Sequence, residues 1–341
     1  MQVLEEGIGN LISRVPNIED IQKENKAYKP IGLVSKIMSS AEAIGRFVSD
    51  GDYLVSELTG NVRGPLALIR EVVRQKKRNL RVAGNTSTLD IDLLLAAGAV
   101  SDMDLCYVGY ELLGISYTMR KAIEQKEIRV TEWSNATMAW RLKAGAMGIP
   151  FIPCRSMYSG TDTFKYSAAK IIECPFTKVK LCAVPALRPD VALIHVHRCD
   201  EYGNAQIDGI TGSSYDVAAA SKKVIISTEK IISNREIRNN PERTVIPHFL
   251  VSAVVEEPFG AHPGNMPYLY DMDVENYREY TAAAKTKEGV TEYFNKYIFS
   301  VGDNREYLEI MGREHLNCLE EKERARFSYR NGEKGDENDG K

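Results

Sequence analysis

The sequence predicts an α/β fold with a mostly parallel sheet flanked by helices. Short segments rich in Val, Ile and Leu alternate along the chain with longer segments of helical periodicity, as in α/β proteins. The strand segments are apolar on both faces, which is typical of a sheet that helices cover on each side. Two consecutive segments, KLCAVPAL and ALIHVHR, leave no room for a crossover helix, so part of the sheet should be antiparallel or differently connected.

Each element is predicted from its local pattern. In chain order, the predicted strands are YLVSE (53–57), LRVAG (80–84), DLCYVGY (104–110), EIRVTEW (127–133), IPFIPC (149–154), VKLCAVPAL (179–187), VALIHVHRC (191–199) and KKVIISTE (222–229). The predicted helices are 41–49, 66–78, 88–98, 114–126, 136–147 and 274–297. Pro65 suits a helix start because its missing N–H needs no partner there, and Ile69 and Val72 then share one face.

The composition excludes several function classes. The 341 residues carry a net charge of -3, which gives no electrostatic case for nucleic acid, and no apolar run reaches the roughly 20 residues needed to span a membrane. The six cysteines are widely spaced without a CxxC pair, so we expect no metal site. This cysteine usage and the lack of a secretory signal pattern predict a cytoplasmic protein.

The chain is expected to have four parts. These are an N-terminal extension (1–30), an α/β domain (31–300), a C-terminal helical segment (301–330) and a disordered tail (331–341). The tail, NGEKGDENDGK, contains no apolar residue that could anchor it.

Candidate binding residues gather where the predicted strands end. They are Thr59, Gly60, Asn61 and Arg63 after YLVSE, Asn85 after LRVAG, Glu132, Ser134 and Asn135 after EIRVT, and Arg155, Gly160 and Asp162 after IPFIPC. Ligands of open α/β sheets bind outside the carboxyl ends of the strands, so these loops should share one crevice. The forked donors of Arg63 suit a carboxylate or a phosphate.

No nucleotide-binding fingerprint supports another kind of site. GxGxxG is absent after a strand, and GxxxxGK[ST] is absent altogether. His195 and His197 alternate along one strand and could ligate a metal together, although an HxH pair without nearby acids is more typical of a structural pair.

Longer motifs resemble a known family. The segments KAGAMGIPFIPCRSMYSGTD, IIECPFTKVKLCAVPALRPDVALIHVHRCDEYGNAQIDG and EEPFGAHPG are similar to the alpha subunits of class I CoA-transferases, in particular those of the glutaconate type. This resemblance implies a fold of the CoA-transferase and ribose-phosphate-isomerase type and a beta subunit of similar fold. It further implies CoA as a substrate rather than a permanently bound cofactor, and transfer of CoA between carboxylic acids.

The resemblance also implies which half carries the nucleophile. In the family, a glutamate of the beta half attacks the acyl-CoA thioester, and backbone donors of a glycine-rich loop stabilise the oxyanion. The corresponding segment here, LRVAGNTST, offers Gly84, Asn85 and Thr86 but no carboxylate. The chain is therefore expected to be an alpha subunit without the nucleophile. Its expected partners are an acyl-CoA, a carboxylic acid and a beta subunit.

Two acidic residues are further candidates. Glu57, Leu58 and Thr59 stand where related alpha subunits carry Gly-Gly-aromatic, so Glu57 is either a general base, a supporting acid or an inert substitution. A related branch hydrolyses CoA thioesters with a glutamate in the alpha chain. Its place here is taken by Asn135, with Glu132 three residues earlier as a possible substitute or a structural carboxylate.

Three functions stay open on the sequence alone: part of a heteromeric CoA-transferase, part of a CoA-thioester hydrolase or ring-cleaving enzyme, and a non-catalytic subunit that binds CoA ligands. The resemblance implies that the loop FGAHPGNMPYLYDMD lies near the acyl group, so His262 is expected to contact the acid. Aromatic and Met side chains of loop-like segments are candidates for a subunit interface, namely Phe151, Met157, Tyr158, Phe259, Met266, Tyr268 and Tyr270.

Overall fold

The computed structural model describes residues 2–57, 60–157 and 159–330. The strands are β1 (Val3–Glu6), β2 (Tyr53–Glu57), β3 (Leu80–Ala83), β4 (Val100–Leu105), β5 (Arg129–Glu132), β6 (Phe151–Cys154), β7 (Lys170–Glu173), β8 (Lys180–Pro185), β9 (Val191–Cys199), β10 (Ala205–Gln206), β11 (Lys223–Ile231), β12 (Thr244–Ile246) and β13 (Ala253–Glu256). The helices are α1 (Ile18–Tyr28), α2 (Ser40–Phe47), α3 (Leu66–Arg74), α4 (Leu89–Ala96), α5 (Tyr117–Glu124), α6 (Asn135–Met147), α7 (Asp162–Lys165), α8 (Ser214–Ala220), α9 (Asn234–Asn239), α10 (Val274–Ala283), α11 (Lys287–Phe294), α12 (Asn304–Met311) and α13 (Arg313–Arg330).

The main sheet confirms the predicted, mostly parallel α/β fold. Its strands β13, β11, β9, β2, β3, β4 and β5 lie side by side in that order, and all six pairings are parallel. The short strands β10 and β12 add antiparallel pairs next to β9. Because alternate side chains of a strand point to opposite faces, Leu54 packs into one apolar core and Val55 into another on the other side of the sheet.

A second sheet explains the two consecutive strands that lack a crossover helix. Its four strands are antiparallel in the order β1, β7, β8 and β6. β8 therefore belongs to this sheet, and the next strand, β9, belongs to the main sheet. The N-terminal residues take part as well, because β1 pairs with β7.

Local capping sets several helix boundaries. Ser134 and Thr137 form a capping box at the start of α6, and Gly148 ends that helix in the left-handed conformation with a φ of 71°. The single helix expected over 274–297 is instead interrupted. Thr286 caps α11 by accepting a hydrogen bond from the Gly289 N–H, which separates α11 from α10.

The C-terminal residues cover a long loop of the main domain. Leu316 and Leu319 of α13 pack against Phe259, Met266 and Tyr270 in a small core of their own. The expected interface role of these three loop residues is not supported, because all are buried within this chain. Among the described residues, no helix is both long and apolar enough to cross a bilayer. The tail 331–341 lies outside the described residues, and the four-part division stays a prediction.

Candidate active site

Three of the predicted loops meet at the carboxyl edge of the main sheet. The Gly60 N–H donates to the Thr86 carbonyl oxygen over 3.1 Å, which joins the loop after β2 to the loop after β3. The Asn135 Nδ2 donates to the Thr86 hydroxyl over 3.3 Å, which adds the first residue of α6. Parallel strands end at one edge, so this convergence is what the topology dictates. Thr59 lies outside the described residues.

A small polar cavity lies directly beneath these loops. It has a volume of about 20 Å³, enough for about one water molecule, and its walls include Ser56, Glu57, Gly84, Asn85, Met138, Leu142, Ser213 and Val217. Within the described chain, neither the Glu57 Oε1 nor the Asn85 Oδ1 has a hydrogen-bond partner. Two acceptor oxygens at one cavity favour a donor between them, such as water or a ligand hydroxyl.

Glu57 and Arg63 form a buried ion pair at the base of the loop after β2. The Arg63 Nη1 lies 3.2 Å from the Glu57 Oε2, and the Arg63 side chain is 0% exposed. The guanidinium also donates to the carbonyl oxygens of His195 and Ile210 and to the Ser214 hydroxyl. The expected contact of Arg63 with a ligand carboxylate or phosphate is not supported by this placement, because its donors serve the protein interior.

Asn61 ties the same loop to a distant segment. The Asn265 N–H donates to the Asn61 carbonyl oxygen over 2.9 Å, and the Asn265 carbonyl accepts the Arg63 N–H over 2.9 Å. The Asn61 side-chain oxygen is buried and has no partner in the described ranges. Asn61 therefore has an acceptor available beside Gly60.

Glu132, the last residue of β5, lies near Asp162. Partial burial and the negative charge of Asp162 raise the pKa of the Glu132 carboxyl. Asp162 is exposed in the first turn of α7, so the two acids form a partly solvated pair rather than a buried one. A carboxyl with a raised pKa is better able to exchange protons near neutral pH.

The remaining predicted residues divide by exposure. Ser134 uses its hydroxyl to accept the Thr137 N–H as an N-cap, which favours a structural role. Asn135 is exposed at the loop junction, and Arg155 and Gly160 are exposed in the loop after β6. These three residues are accessible to a ligand.

A family model described as Coenzyme A transferase matches residues 37–257. The chain belongs to the Coenzyme A transferase family. It is 33% identical to one subunit of the 3-oxoadipate CoA-transferase of Pseudomonas knackmussii, over 80% of this chain and 97% of that protein. It is 30% identical to one subunit of the glutaconate CoA-transferase of Acidaminococcus fermentans, over 83% of this chain and 94% of that protein.

The structures agree with the sequences. The crystal structure of glutaconate coenzyme A-transferase from Acidaminococcus fermentans superimposes with a TM-score of 0.80 and 30% identity, covering 84% of this chain and 95% of that chain. A more distant relative is the cholesterol ring-cleaving hydrolase IpdA subunit of Rhodococcus jostii, 29% identical over 72% of this chain and 86% of that protein. The chain is thus a CoA-transferase subunit of the class I alpha type, as its motifs predicted.

His262 occupies a different place in this CoA-transferase subunit from the one expected. Its ring is 0% exposed and binds the Tyr307 hydroxyl at Nδ1 (2.7 Å) and the Asp273 carboxylate at Nε2 (3.1 Å). It is therefore enclosed by the C-terminal helices, and direct contact with the acid is not supported.

The HxH pair is bound within the protein as well. His195 contacts the Ser227 hydroxyl and the Glu229 carboxylate, each at 2.8 Å. His197 donates from Nε2 to the Pro267 carbonyl oxygen and accepts the Asp208 N–H at Nδ1. Burial lowers the pKa of His197 to about 4. These contacts favour the structural interpretation of the pair.

Two polar residues of the cavity, Ser56 and Ser213, were not predicted as site residues. Ser56 lies inside a strand, and Ser213 precedes α8 more than a hundred residues away in the chain. The position of Ser56 in the sequence could have identified it. Ser56 is the second-last residue of β2, just before the loop that contains Gly60, and every side chain of β2 is buried on one face of the sheet or the other. No local pattern marks Ser213, since only the tertiary packing brings α8 to this edge.

Proposed function

We propose that this chain is the alpha subunit of a heteromeric CoA-transferase that moves CoA between carboxylic acids. A beta subunit of similar fold would supply the catalytic glutamate. The observation that carries this proposal is the carboxyl edge itself. It presents a glycine-containing loop at Gly60, while the neighbouring loop after β3 holds Gly84, Asn85 and Thr86 and no carboxylate. The site therefore offers oxyanion and substrate binding but lacks the nucleophile.

The proposed division of labour follows from the chemistry of the exchange. A carboxylate of the beta partner attacks the thioester carbonyl and expels CoA thiolate, which leaves an acyl anhydride on the enzyme. The thiolate then attacks the enzyme's carbonyl, releases the first acid and forms a glutamyl-CoA thioester, from which the second acid takes CoA by the reverse steps. Backbone N–H groups of this loop other than those of Gly60 and Arg63, which already donate to the Thr86 and Asn265 carbonyl oxygens, would stabilise each oxyanion.

The acid is proposed to be dicarboxylic or a related polar acid. Two relatives, named for 3-oxoadipate and glutaconate, act on acids that carry a second carboxylate. Arg155, exposed in the loop after β6, and the exposed amide of Asn135 are proposed to bind such a carboxylate through their N–H donors, with Asn61 as a further substrate contact. Asn85, Gly160 and Asp162 are proposed to line the same crevice, and Thr59 is retained as a proposed contact beside Gly60.

The compartment is proposed to be the cytoplasm. The six cysteines are free in the structure, which supports a reducing environment. Coenzyme A is proposed as a substrate, and no permanently bound cofactor is needed for the exchange.

Reconstitution tests the proposal. The chain would be purified alone and together with a beta-type CoA-transferase chain from the same genome, and transfer of CoA from an acyl-CoA to isotopically labelled acids would be followed. We expect no exchange by the single chain and exchange by the pair. Exchange by the single chain, with no partner detectable by mass spectrometry, would contradict the proposal. Tight binding of CoA esters by the pair without any turnover would instead favour a non-catalytic ligand-binding subunit.

One observation favours a second function, hydrolysis or ring cleavage of a CoA thioester. The Glu132 carboxyl has a raised pKa and lies by Asp162, an arrangement suited to proton transfer from water. The same reconstituted pair would be assayed without an acceptor acid, because only hydrolysis proceeds there. Loss of that activity in Glu132→Gln, but not in Glu127→Gln at an exposed position before the same strand, would support the hydrolase.

A further inference from the structure

Three side chains with metal-binding chemistry converge beneath the C-terminal helix. The His262 Nε2 and the His315 Nε2 lie 3.1 Å and 2.6 Å from the same Asp273 carboxylate oxygen, Oδ2. The three ligand atoms all lie within 4.8 Å of one another. This cluster shares no residue with the candidate active site. Asp273 lies 11 positions after His262 and 42 positions before His315, so no local sequence motif indicates the cluster.

We propose that His262, Asp273 and His315 bind one divalent transition-metal ion of the zinc class and thereby fasten α13 to the domain. Two imidazole nitrogens and one carboxylate oxygen are a donor set that zinc and its neighbours in the periodic table accept, with water in a fourth position. The expectation of no metal site came from the absence of cysteine motifs, and this donor set contains no cysteine.

The two distances to Asp273 need only a small adjustment. Tetrahedral ligands at about 2.0–2.1 Å from zinc lie about 3.3 Å apart. The His262–Asp273 separation of 3.1 Å is already close to that value, and His315 must withdraw from Asp273 by less than about 1 Å. The His315 side chain is 34% exposed, which leaves it room to move and leaves an entry path for the ion and its water.

Outer contacts hold two of the ligands in position. The Tyr307 hydroxyl oxygen lies 2.7 Å from the His262 Nδ1 and can accept a hydrogen bond from a protonated Nδ1. The Nε2 lone pair of that tautomer is then available to the metal. The Asn276 N–H donates to the other Asp273 oxygen over 3.0 Å, because Asp273 is the N-cap of α10. The nearby Arg70 guanidinium is directed to the His262 carbonyl oxygen and to Asn304 rather than to the ligand atoms.

The location suggests what the ion would stabilise. α13 already contacts the 259–273 loop through Leu319, whose carbonyl accepts the Asp271 N–H, and through Arg326, which binds Asp271. A metal bond from His315 would add a strong link at the beginning of the helix. Ion binding should therefore protect α13 from unfolding and from proteolysis.

Metal titration of the full chain tests the proposal. Chain freed of metal by a chelator would be titrated with Zn²⁺ by calorimetry and with Co²⁺ by visible absorption, which reports imidazole coordination. Every sample would carry Cys154→Ser. The free thiols of Cys154 and Cys182 lie opposite one another on the adjacent strands β6 and β8, and two neighbouring thiols could also bind zinc. We expect one ion per chain, a rise in thermal midpoint with Zn²⁺, and slower proteolytic removal of α13.

Substitutions locate the ion. His315→Ala, at the partly exposed ligand, should weaken Zn²⁺ binding by at least the roughly 10–100-fold that loss of an outer-shell partner costs in metal sites. His248→Ala removes a histidine outside the cluster and should leave affinity unchanged. Asp273→Asn should act as His315→Ala does. Equal Zn²⁺ binding by all three variants, or no stoichiometric binding by the parent chain, would overturn the proposal and leave the cluster as a hydrogen-bonded anchor.

Discussion

Glu57 and Arg63 are paired in the interior, with 3.2 Å between Oε2 and Nη1, at the base of the loop that should face the thioester. Related alpha subunits were expected to carry glycine at the position of Glu57. This chain instead has a buried acid, Glu57, and the buried Arg63 six residues later carries the compensating positive charge. The pair therefore sets the shape of the loop, and its charge is neutralised within the protein.

Removal of Arg63 should cost stability more than ligand affinity. In Arg63→Ala, Glu57 would keep a buried charge without a partner, and breaking such pairs costs about 3–5 kcal/mol of unfolding free energy. Urea denaturation would measure this loss. The double variant Glu57→Gln/Arg63→Met removes both charges and should recover part of it. A stable Arg63→Ala chain with a selective loss of acyl-CoA binding would contradict this and restore Arg63 as a ligand contact.

Adjacent residues at the start of α6 should differ in what they affect. Ser134→Ala removes the N-cap of α6 and should lower the unfolding free energy by about 0.5–2 kcal/mol, with little change in substrate use. Asn135→Ala removes an exposed amide that contacts the Thr86 hydroxyl, and we expect it to lower kcat/KM of the reconstituted transferase at nearly unchanged stability. Denaturation and initial rates on the same preparations separate the effects. Equal effects of both variants on the two quantities would argue against a ligand contact at Asn135.

Much of the fold was predictable because the strands of a parallel sheet are marked by continuous apolar runs. The position of β4 was predicted wrongly because this strand lacks such an apolar run. It runs over Val100–Leu105 and contains Asp102 and Asp104, so its pattern is polar, whereas the strand was expected over 104–110. Asp104 is tolerated inside because it binds the Tyr53 hydroxyl, the Trp133 indole N–H and the Arg141 guanidinium. Such partners come from distant segments, and local patterns do not reveal them.

The candidate site was predictable to the extent that strand ends define it. Gly60, Asn85 and Asn135 meet there because topology alone brings those loops together. Arg63 and His262 were expected to face a ligand on the basis of their chemistry. Both are instead buried against protein partners. A polar side chain of a loop can point into the protein when an oppositely charged group or a hydroxyl there binds it.

A methyl group at Gly264 should disturb the loop after β2. A Cβ there would lie 2.7 Å from the Asn61 carbonyl oxygen and 2.9 Å from that of Ala261, both backbone atoms that cannot turn aside. Gly264→Ala should therefore displace Asn61 and reduce exchange by the reconstituted enzyme. Gly32→Ala is the matched control, because its nearest neighbour would be 4.0 Å away. Full activity in Gly264→Ala would show that the position of Asn61 is not needed for turnover.

The last prediction concerns Lys29, where the N-terminal segment joins the domain. Its ammonium is buried and donates to the Ala218 carbonyl oxygen over 3.0 Å. Burial, and secondarily the positive charge of Arg188, lower its pKa from 10.5 to about 7. Between these two values the folded chain has lost the proton that the unfolded chain still holds, so unfolding takes up a proton and stability rises with pH.

Lys29→Met should remove that pH dependence. In the parent chain, the contribution of Lys29 should increase the unfolding free energy by about 2–3 kcal/mol from pH 7 to pH 9.5, and the gain should disappear as the pH falls through 7. Urea denaturation at several pH values would compare the parent, Lys29→Met and Lys26→Met, where Lys26 is an exposed lysine in the last turn of α1, just before Lys29. Lys26→Met should follow the parent curve, and Lys29→Met should be flatter by the stated amount. Parallel curves for all three chains would mean that Lys29 keeps its proton in the folded state.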